Sequence, residues 1–242
     1  MLGDDLIELL GERIPADHAR QVLADDYLVG RYAQLAAGGD GDRVLDLGCG
    51  AGDSVEQFSS LNPGVRWVGV DVEASPEVAA RTRTDAEFRT FDGRSIPADD
   101  GSVDWVYCKQ VLEHVPEPAP LIADVARVLR PGGVFAGSTS QLEPYHSLST
   151  GNITPYGLMR LVEAAGMELV EVRPGIDAVT LIAHRGLGMP AFTRRYWARE
   201  SPLNRAIGLA ARGRRLSTRQ TNAIKLIFCA QYAFLARRIS LP

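Results

Sequence analysis

The sequence predicts an α/β fold built on a parallel sheet, and two observations support that prediction. Residues 44–47 form an apolar run with one carboxylate, typical of a buried parallel strand, and they lead into Gly48, Gly50 and Gly52. A helical pattern then begins near Ser54 and is followed by further strand and helix patterns as far as His184. A strand, a glycine turn and a helix bring a ligand against bare backbone N–H groups, since glycine has no Cβ.

Composition sets the broad limits. A chain of 242 residues with 45% hydrophobic residues can bury one large α/β core and carry an appendage. Its three cysteines, Cys49, Cys108 and Cys229, are widely spaced and indicate neither a disulfide framework nor a zinc site, so no metal is expected. Residues 1–10 carry acids and no base, unlike a targeting peptide, and we expect a cytoplasmic protein, with membrane association as an alternative.

The spacing of the glycines bears on the ligand. In dinucleotide-binding turns the third glycine follows the second by three residues, whereas Gly52 follows Gly50 by two and is followed by Asp53. A carboxylate at that point would repel a diphosphate. The turn therefore favours a nucleotide without phosphates.

The pattern Asp-x-Gly-x-Gly-x-Gly over residues 46–52 resembles motif I of the class I S-adenosylmethionine-dependent methyltransferases, of the methyltransferase type 11-like kind. Residues 112–115, Leu-Glu-His-Val, and 127–135, Arg-Val-Leu-Arg-Pro-Gly-Gly-Val-Phe, are similar to the same family. The resemblance covers residues 40–184. It implies a Rossmann-like sheet of seven strands in the order 3-2-1-4-5-7-6 with strand 7 antiparallel, and S-adenosylmethionine as a cofactor that leaves as S-adenosylhomocysteine.

Cofactor contacts are expected at the carboxyl ends of successive strands. Asp71 ends the second strand, where a carboxylate can accept hydrogen bonds from both hydroxyls of an adenosine ribose. By resemblance, Asp92 accepts from the adenine amino group, and the segment after the fourth strand flanks the methionine end. The full predicted cofactor set is Asp46, Gly48, Cys49, Gly50, Gly52, Asp71, Val72, Asp92, Gly93, Lys109 and Gln110.

Two histidines are candidates for the catalytic site. His114 follows the fourth strand, where an acid–base role and a structural hydrogen-bonding role both remain open. His146 follows the fifth strand beside Glu143 and Tyr145, where a base could deprotonate a hydroxyl acceptor; a solvated surface histidine is the alternative.

Residues 1–40 are interpreted as a helical flank or lid, including a helical segment from Ala16 to Tyr32. By resemblance to the family, helices ahead of motif I cover the cofactor, which makes Tyr27, Arg31 and Tyr32 candidate contacts. Packing of amphipathic helices on the surface is the alternative.

The last two strands are predicted at residues 167–172 and 178–184, as an antiparallel pair. This interpretation completes the methyltransferase domain at residues 1–184 and leaves 185–242 as a basic, partly apolar helical extension. The extension carries 12 Lys and Arg against one acid, Glu200, whereas the first 184 residues carry 14 bases and 29 acids. Helical stretches are predicted at 202–216 and 223–235, the second including the apolar run 226–230.

Three interpretations of the extension remain open: a helical pair packed on the domain or on a second subunit, attachment to a membrane surface, and binding to nucleic acid, the least expected. A homodimer is also a prediction.

The predicted function is transfer of a methyl group from S-adenosylmethionine to a small-molecule or lipid-linked acceptor by in-line displacement, with O-methylation as one form. The alternatives are a non-catalytic S-adenosylmethionine-binding scaffold or regulator and a nicotinamide-dependent oxidoreductase.

Overall fold

A computed structural model describes residues 2–35 and 41–240, and the predicted flank at 36–40 lies outside them. The strands are β1 (Arg43–Leu47), β2 (Arg66–Val72), β3 (Glu87–Phe91), β4 (Val103–Lys109), β5 (Leu129–Ser140), β6 (Met167–Pro174) and β7 (Gln231–Arg238). The α-helices are α1 (Asp4–Leu10), α2 (Ala24–Leu35), α3 (Val55–Leu61), α4 (Pro76–Ala79), α5 (Pro118–Val128), α6 (Pro155–Ala164), α7 (Ala178–Gly186), α8 (Arg195–Ala198), α9 (Pro202–Gly213) and α10 (Thr218–Phe228).

The sheet has the predicted architecture. Its strand order is β3-β2-β1-β4-β5-β7-β6, and β7 runs antiparallel to both of its neighbours. The first five strands pair in parallel, with β1 between β2 and β4. Their carboxyl ends therefore meet at one edge of the sheet, which is where ligands bind in open α/β sheets.

The predicted position of the seventh strand is wrong. Residues 178–184 are rich in β-branched side chains, but they belong to the helix α7. Asp177 begins that helix, because its carboxylate accepts hydrogen bonds from the backbone N–H and the hydroxyl of Thr180. Burial then follows a helical spacing, with Leu181 and His184 buried and Val179 and Ile182 exposed.

The seventh strand comes instead from the segment predicted to be a helical extension. The predicted helix over 223–235 ends at Phe228, and β7 begins three residues later. The apolar run 226–230 is not a surface stripe, since Leu226, Cys229 and Ala230 are fully buried. Helices do form in this segment, as predicted, and α10 packs against α1.

The segment before α2 also differs from the prediction. Residues 16–23 form no helix, although a helix was expected from Ala16. Two side chains of α10 bind backbone carbonyl groups of residues 15–19. Asn222 donates to the carbonyls of Pro15 and His18, and Lys225 donates to the carbonyl of Ala19. These bonds replace the intrahelical bonds that such carbonyls would otherwise need.

Helices cover both faces of the sheet. One core contains the inner faces of α1, α5, α6 and α10, and the other contains those of α2 and α3. Among the described residues, no helix is both long enough and apolar enough to cross a bilayer.

Candidate active site

The glycine turn after β1 has the backbone geometry that its sequence predicts. Gly48, Gly50 and Gly52 all have positive φ angles, of 74°, 50° and 86°. A Cβ on Gly48 would lie 2.2 Å from a methyl carbon of Val111, and one on Gly52 would lie 2.8 Å from the ring of Phe88. Side chains are therefore excluded at both positions, where only glycine fits against Val111 and Phe88.

Asp71 lies against this turn. Its Oδ2 accepts the N–H of Gly50 at 2.7 Å, and its Oδ1 accepts the N–H of Val72 at 2.7 Å. A carboxylate has about four acceptor positions, two on each oxygen. These two backbone bonds leave about one position on each oxygen, which suits a pair of neighbouring hydroxyl groups.

Asp46 lies beneath the turn and is 4% exposed. It accepts a hydrogen bond from the Ser54 hydroxyl at 2.6 Å, and that hydroxyl accepts from the indole N–H of Trp67 at 2.9 Å. Desolvation raises the pKa of Asp46 to about 7, against the opposing effect of the Ser54 bond. Asp46 thus fixes the end of β1 to the start of α3.

Cys49 is buried in the turn, and burial raises the pKa of its thiol to about 12. Next to it, the Arg81 guanidinium donates two hydrogen bonds to the carbonyl of Gly50, at 2.8 and 2.6 Å, and lies over the Phe88 ring. Arg81 is not among the predicted site residues. It lies on a connection after α4 whose approach to the glycine turn no local pattern indicates.

The predicted adenine segment forms a tight turn. The backbone N–H groups of Arg94 and Ser95 both donate to Oδ1 of Asp92, and these bonds lower the pKa of Asp92. Gly93 has a φ of 83°, and a Cβ there would lie 4.0 Å from a side-chain carbon of Val72. The turn and the exposed Val72 side chain therefore lie side by side, at the ends of two adjacent strands.

Lys109 and Gln110 end β4 at the same edge. Lys109 pairs with Asp25 at 2.7 Å, and Asp25 also accepts the hydroxyl of Tyr107 at 2.8 Å. Gln110 has a φ of 55°, which is a strained conformation for a residue other than glycine. Its side-chain amide donates to Ser138 at 3.2 Å.

The N-terminal flank reaches this edge through different residues from those expected. Tyr32 is buried in the core, and its hydroxyl bonds to Asp42 just before β1, at the opposite edge of the sheet. Tyr27 lies under Arg173, and Arg31 pairs with Glu171 at 3.5 Å, both partners being on β6. These three residues therefore pack against the sheet, whereas Val22 to Asp25 line the cavity described below.

His146 is held by two residues that precede it in its own loop. Its Nδ1 lies 3.3 Å from the carbonyl of Pro144 and 3.6 Å from Oε1 of Glu143. A carbonyl only accepts hydrogen bonds, so this contact requires the proton on Nδ1 and leaves the lone pair on Nε2. That tautomer is the one that can accept a proton at Nε2. Tyr145, the neighbouring candidate, is exposed.

Glu143 is almost completely buried and has several partners. It pairs with Arg185, accepts the Ser140 hydroxyl at 2.5 Å and accepts the Gln231 amide at 2.7 Å. The Arg185 guanidinium compensates the charge of this carboxylate, which lies beside His146.

A second buried carboxylate, Glu113, shares Ser140 with Glu143. Ser140 Oγ lies 3.2 Å from Glu113 Oε1. A hydroxyl has one proton, so it cannot donate to both carboxylates at once. Burial raises the pKa of Glu113, against the opposing effect of the hydrogen bonds from Thr139 and Ser140.

The rings of His114 and His146 lie edge to face, with centroids 5.3 Å apart. Ligand atoms of Glu113, His114 and His146 all lie within 4.8 Å of one another, a set that resembles a metal site in its chemistry. No pattern in the sequence predicts that these three side chains lie close together, because His146 is on a different loop. The absence of a metal stays a prediction.

A cavity of about 200 Å³ opens at this edge of the sheet. Its polar lining includes Asp25, Lys109, Gln110, Ser138 and Gln231, and its apolar lining includes Val22, Leu23, Ile176, Trp197 and Ala233. A wider depression of about 750 Å³ lies between α1 and the start of α10 and contains none of the predicted site residues.

The glycine turn, the acid at the end of β2 and the cavity beyond β4 define a nucleoside-binding α/β protein with an adjoining second site. Residues 45–137 match the family described as a methyltransferase domain. The chain is 30% identical over 178 residues to a ubiquinone biosynthesis O-methyltransferase of Acinetobacter baumannii, covering 68% of this chain and 74% of that protein.

Two further likenesses differ in extent. An uncharacterised 37.1 kDa protein in a transposon of Streptomyces fradiae is 38% identical over 98 residues, which cover 38% of this chain and 28% of that protein. The S-adenosylmethionine-dependent methyltransferase of Mesorhizobium loti shares the fold, with a TM-score of 0.54, 19% identity and coverage of 89% and 98% of the two chains.

The chain belongs to the S-adenosylmethionine-dependent methyltransferases of class I. It is an enzyme, and S-adenosylmethionine is its methyl donor. These findings confirm the predicted family, fold, reaction and cofactor, and they argue against the oxidoreductase and the non-catalytic scaffold.

Proposed function

We propose that this enzyme methylates a hydroxyl group of a small acceptor held in the cavity beside Gln110, with His146 as the general base. His146 lies outside the cavity lining and is joined to it by Glu143, which is 3.6 Å from the imidazole and accepts the amide of Gln231 in that lining. The observation that carries the proposal is the His146 tautomer, because the contact from Nδ1 to the Pro144 carbonyl leaves Nε2 able to accept a proton. The relative from Acinetobacter baumannii is named as an O-methyltransferase, which supports oxygen as the methylated atom.

The cofactor contacts follow the carboxyl edge of the sheet. Asp71 would accept both ribose hydroxyls, since its two backbone bonds leave one acceptor position on each oxygen. Gly48, Gly50 and Gly52 would let the backbone of the turn approach the donor at Cys49, and Asp46 would hold that turn. Val72, Asp92 and Gly93 would enclose the adenine, and Lys109 with Gln110 would flank the methionine end.

S-adenosylmethionine supplies an electrophilic methyl group on a positively charged sulfur. The task of the chain is then to align the acceptor oxygen, exclude water and remove the hydroxyl proton. His146 would take that proton on Nε2, and the adjacent Glu143 carboxylate would stabilise the imidazolium that forms. His114 would position the His146 ring through their edge-to-face contact.

The cavity also bears on the acceptor. Its volume of about 200 Å³ is below the roughly 300 Å³ of a typical ligand pocket, so it suits the reacting part of an acceptor whose remainder lies outside. This favours a lipid-linked acceptor and, with it, peripheral contact between the 185–242 segment and a membrane. The homodimer stays a prediction.

The test supplies methyl-labelled S-adenosylmethionine and an extract of the source cells to the parent enzyme and to H146Q. We expect label in the organic fraction with the parent and a loss of about 10²- to 10⁴-fold with H146Q, the usual contribution of general-base catalysis. The matched control is H18Q, which removes a histidine outside the site, and the affinity for S-adenosylhomocysteine should stay the same in both variants. A rate in H146Q equal to that of the parent would eliminate His146 as the base.

A further inference from the structure

We propose that α7, residues 187–199 and the loop 142–148 form an attachment surface for an anionic membrane. We call these three segments the α7 surface. This proposal deepens the peripheral membrane contact given in the proposed function, and the delivery of a lipid-linked acceptor to the cavity rests on that function, whereas vesicle binding requires no methyl transfer.

The outward side of α7 is apolar. Val179 and Ile182 lie three residues apart on that side, and each is more than half exposed. Leu181 and His184 lie on the inward side and are buried. An apolar stripe normally packs on a core, but here the core already lies on the opposite side of the helix.

The exposed apolar character continues beyond the helix. Leu187, Met189 and Phe192 are each at least 60% exposed. The segment that carries them folds back on α7, since the Met189 N–H donates to the carbonyl of His184 at 2.8 Å, and the His184 ring packs against Trp197 at 4.8 Å. Residues 187–197 and α7 therefore form one unit.

The loop 142–148 joins the same unit. Arg185 on α7 donates to the carbonyl of Pro144 at 3.0 Å and pairs with Glu143. The two most exposed large apolar side chains of this loop are Tyr145 and Leu148, at 75% and 77%. With Leu142, which is 45% exposed, the three segments joined by these bonds expose eight large apolar side chains.

Charge identifies the partner. Residues 178–199 contain four arginines and no Asp or Glu. Arg185 is paired with Glu143, but Arg194, Arg195 and Arg199 are exposed. Apolar side chains interleaved with arginines suit an interface of acyl chains and anionic head groups.

The same charges argue against a second copy of the chain as the partner. In a two-fold dimer the surface meets itself, so residues from one patch face the same patch on the other chain. Three exposed arginines would then approach three arginines, and the segment provides no acid to compensate them.

The surface also adjoins the cavity. Ile176 precedes α7 and Trp197 lies near the end of the surface, and both line the cavity beside Gln110. An acceptor whose tail stays in the bilayer would have its reactive group next to the site. This position differs from the apolar run 226–230 predicted for membrane contact, which is buried.

The experiment measures co-sedimentation of the full chain with phosphatidylglycerol/phosphatidylcholine vesicles and with phosphatidylcholine vesicles. Two variants test the surface: I182S/F192S removes apolar side chains, and R194Q/R199Q removes charge. The matched controls are L209S, an exposed leucine on α9, and R160Q, an exposed arginine on α6. Affinity for S-adenosylhomocysteine is measured for every variant.

We expect binding to the anionic vesicles that weakens with salt. Each arginine near an anionic surface contributes about fivefold, so R194Q/R199Q should bind about 25-fold more weakly. I182S/F192S should lose at least about tenfold, while the controls and the affinity for S-adenosylhomocysteine stay unchanged.

Three results would overturn the proposal. The chain could bind neutral and anionic vesicles equally well, or L209S could weaken vesicle binding as much as I182S/F192S does. The chain could also be a dimer that I182S/F192S converts to a monomer. Failure of H146Q to reduce methyl transfer would affect only the proposed reaction, since vesicle binding involves no catalysis.

Discussion

Replacement of Asp71 by asparagine tests the cofactor assignment most directly. The asparagine has nearly the same shape, but its amide nitrogen cannot accept a hydrogen bond. In the parent, one oxygen accepts from Gly50 and the other from Val72. Whichever way the amide is turned, its nitrogen faces one backbone N–H group and removes one of the two remaining acceptor positions.

The magnitude follows from these contacts. One ribose hydrogen bond to a charged acceptor is lost, which costs about 1.5–3 kcal/mol, and the other loses its charge assistance. The total is about 2–4 kcal/mol, so the affinity for S-adenosylhomocysteine should fall by about 30- to 1000-fold. Isothermal titration calorimetry measures this directly.

The matched control is D53N, which removes one negative charge from an exposed carboxylate in the same turn. It should change the affinity by less than about threefold, roughly 0.6 kcal/mol. Thermal unfolding of both variants checks that the turn remains folded. If D71N is folded and binds S-adenosylhomocysteine within about threefold of the parent, Asp71 does not hold the ribose.

Three further predictions concern stability and strain. Burial raises the pKa of Asp46 to about 7, so its contribution to stability is present below its unfolded pKa near 4 and is lost as the pH rises to about 7. In urea unfolding, D46N should therefore gain about 4 kcal/mol of stability relative to the parent between pH 4 and 8. A difference that stays constant with pH would contradict this. Gly48 and Gly166 both have positive φ, but of the two only a Cβ on Gly48 meets a neighbour, Val111 at 2.2 Å. In the same assay, G166A should lower the free energy of unfolding by about 1 kcal/mol and G48A by about 2–4 kcal/mol. Equal losses would rule out the steric effect. Gln110 is strained at a φ of 55°, so Q110G should keep or raise the melting temperature while it lowers the rate of methyl transfer. A marked fall in the melting temperature would show that the side-chain hydrogen bonds of Gln110 outweigh the strain.

Local patterns were sufficient for the first five strands and for the edge of the sheet at which their end residues lie. Four of these strands are mostly apolar, whereas β3 is mostly polar. A polar or glycine residue lies at or just after the carboxyl end of each strand, and these residues share one edge because parallel strands align there. Asp71 could be placed beside Gly50 for this reason, although 21 residues separate them along the chain.

Two features depended on tertiary contacts. Residues 178–184 favour a strand by their β-branched content, but the Asp177 cap and burial of one side select a helix. The contact between His146 and His114 joins loops that follow different strands, and the pairing of Glu143 with Arg185 joins a loop to a helix that was predicted as a strand. No spacing in the sequence indicates either contact.

The position of β7 has a consequence for how the sheet is assembled during synthesis. β6 pairs only with β7 in the sheet, so although residues 167–174 leave the ribosome early, they have no strand to join until residues 231–238 follow. Until then β5 presents an open edge of the kind that pairs with other chains. A chaperone that binds extended segments would have its longest opportunity there, and a ribosomal pause before residue 231 would lengthen the exposure.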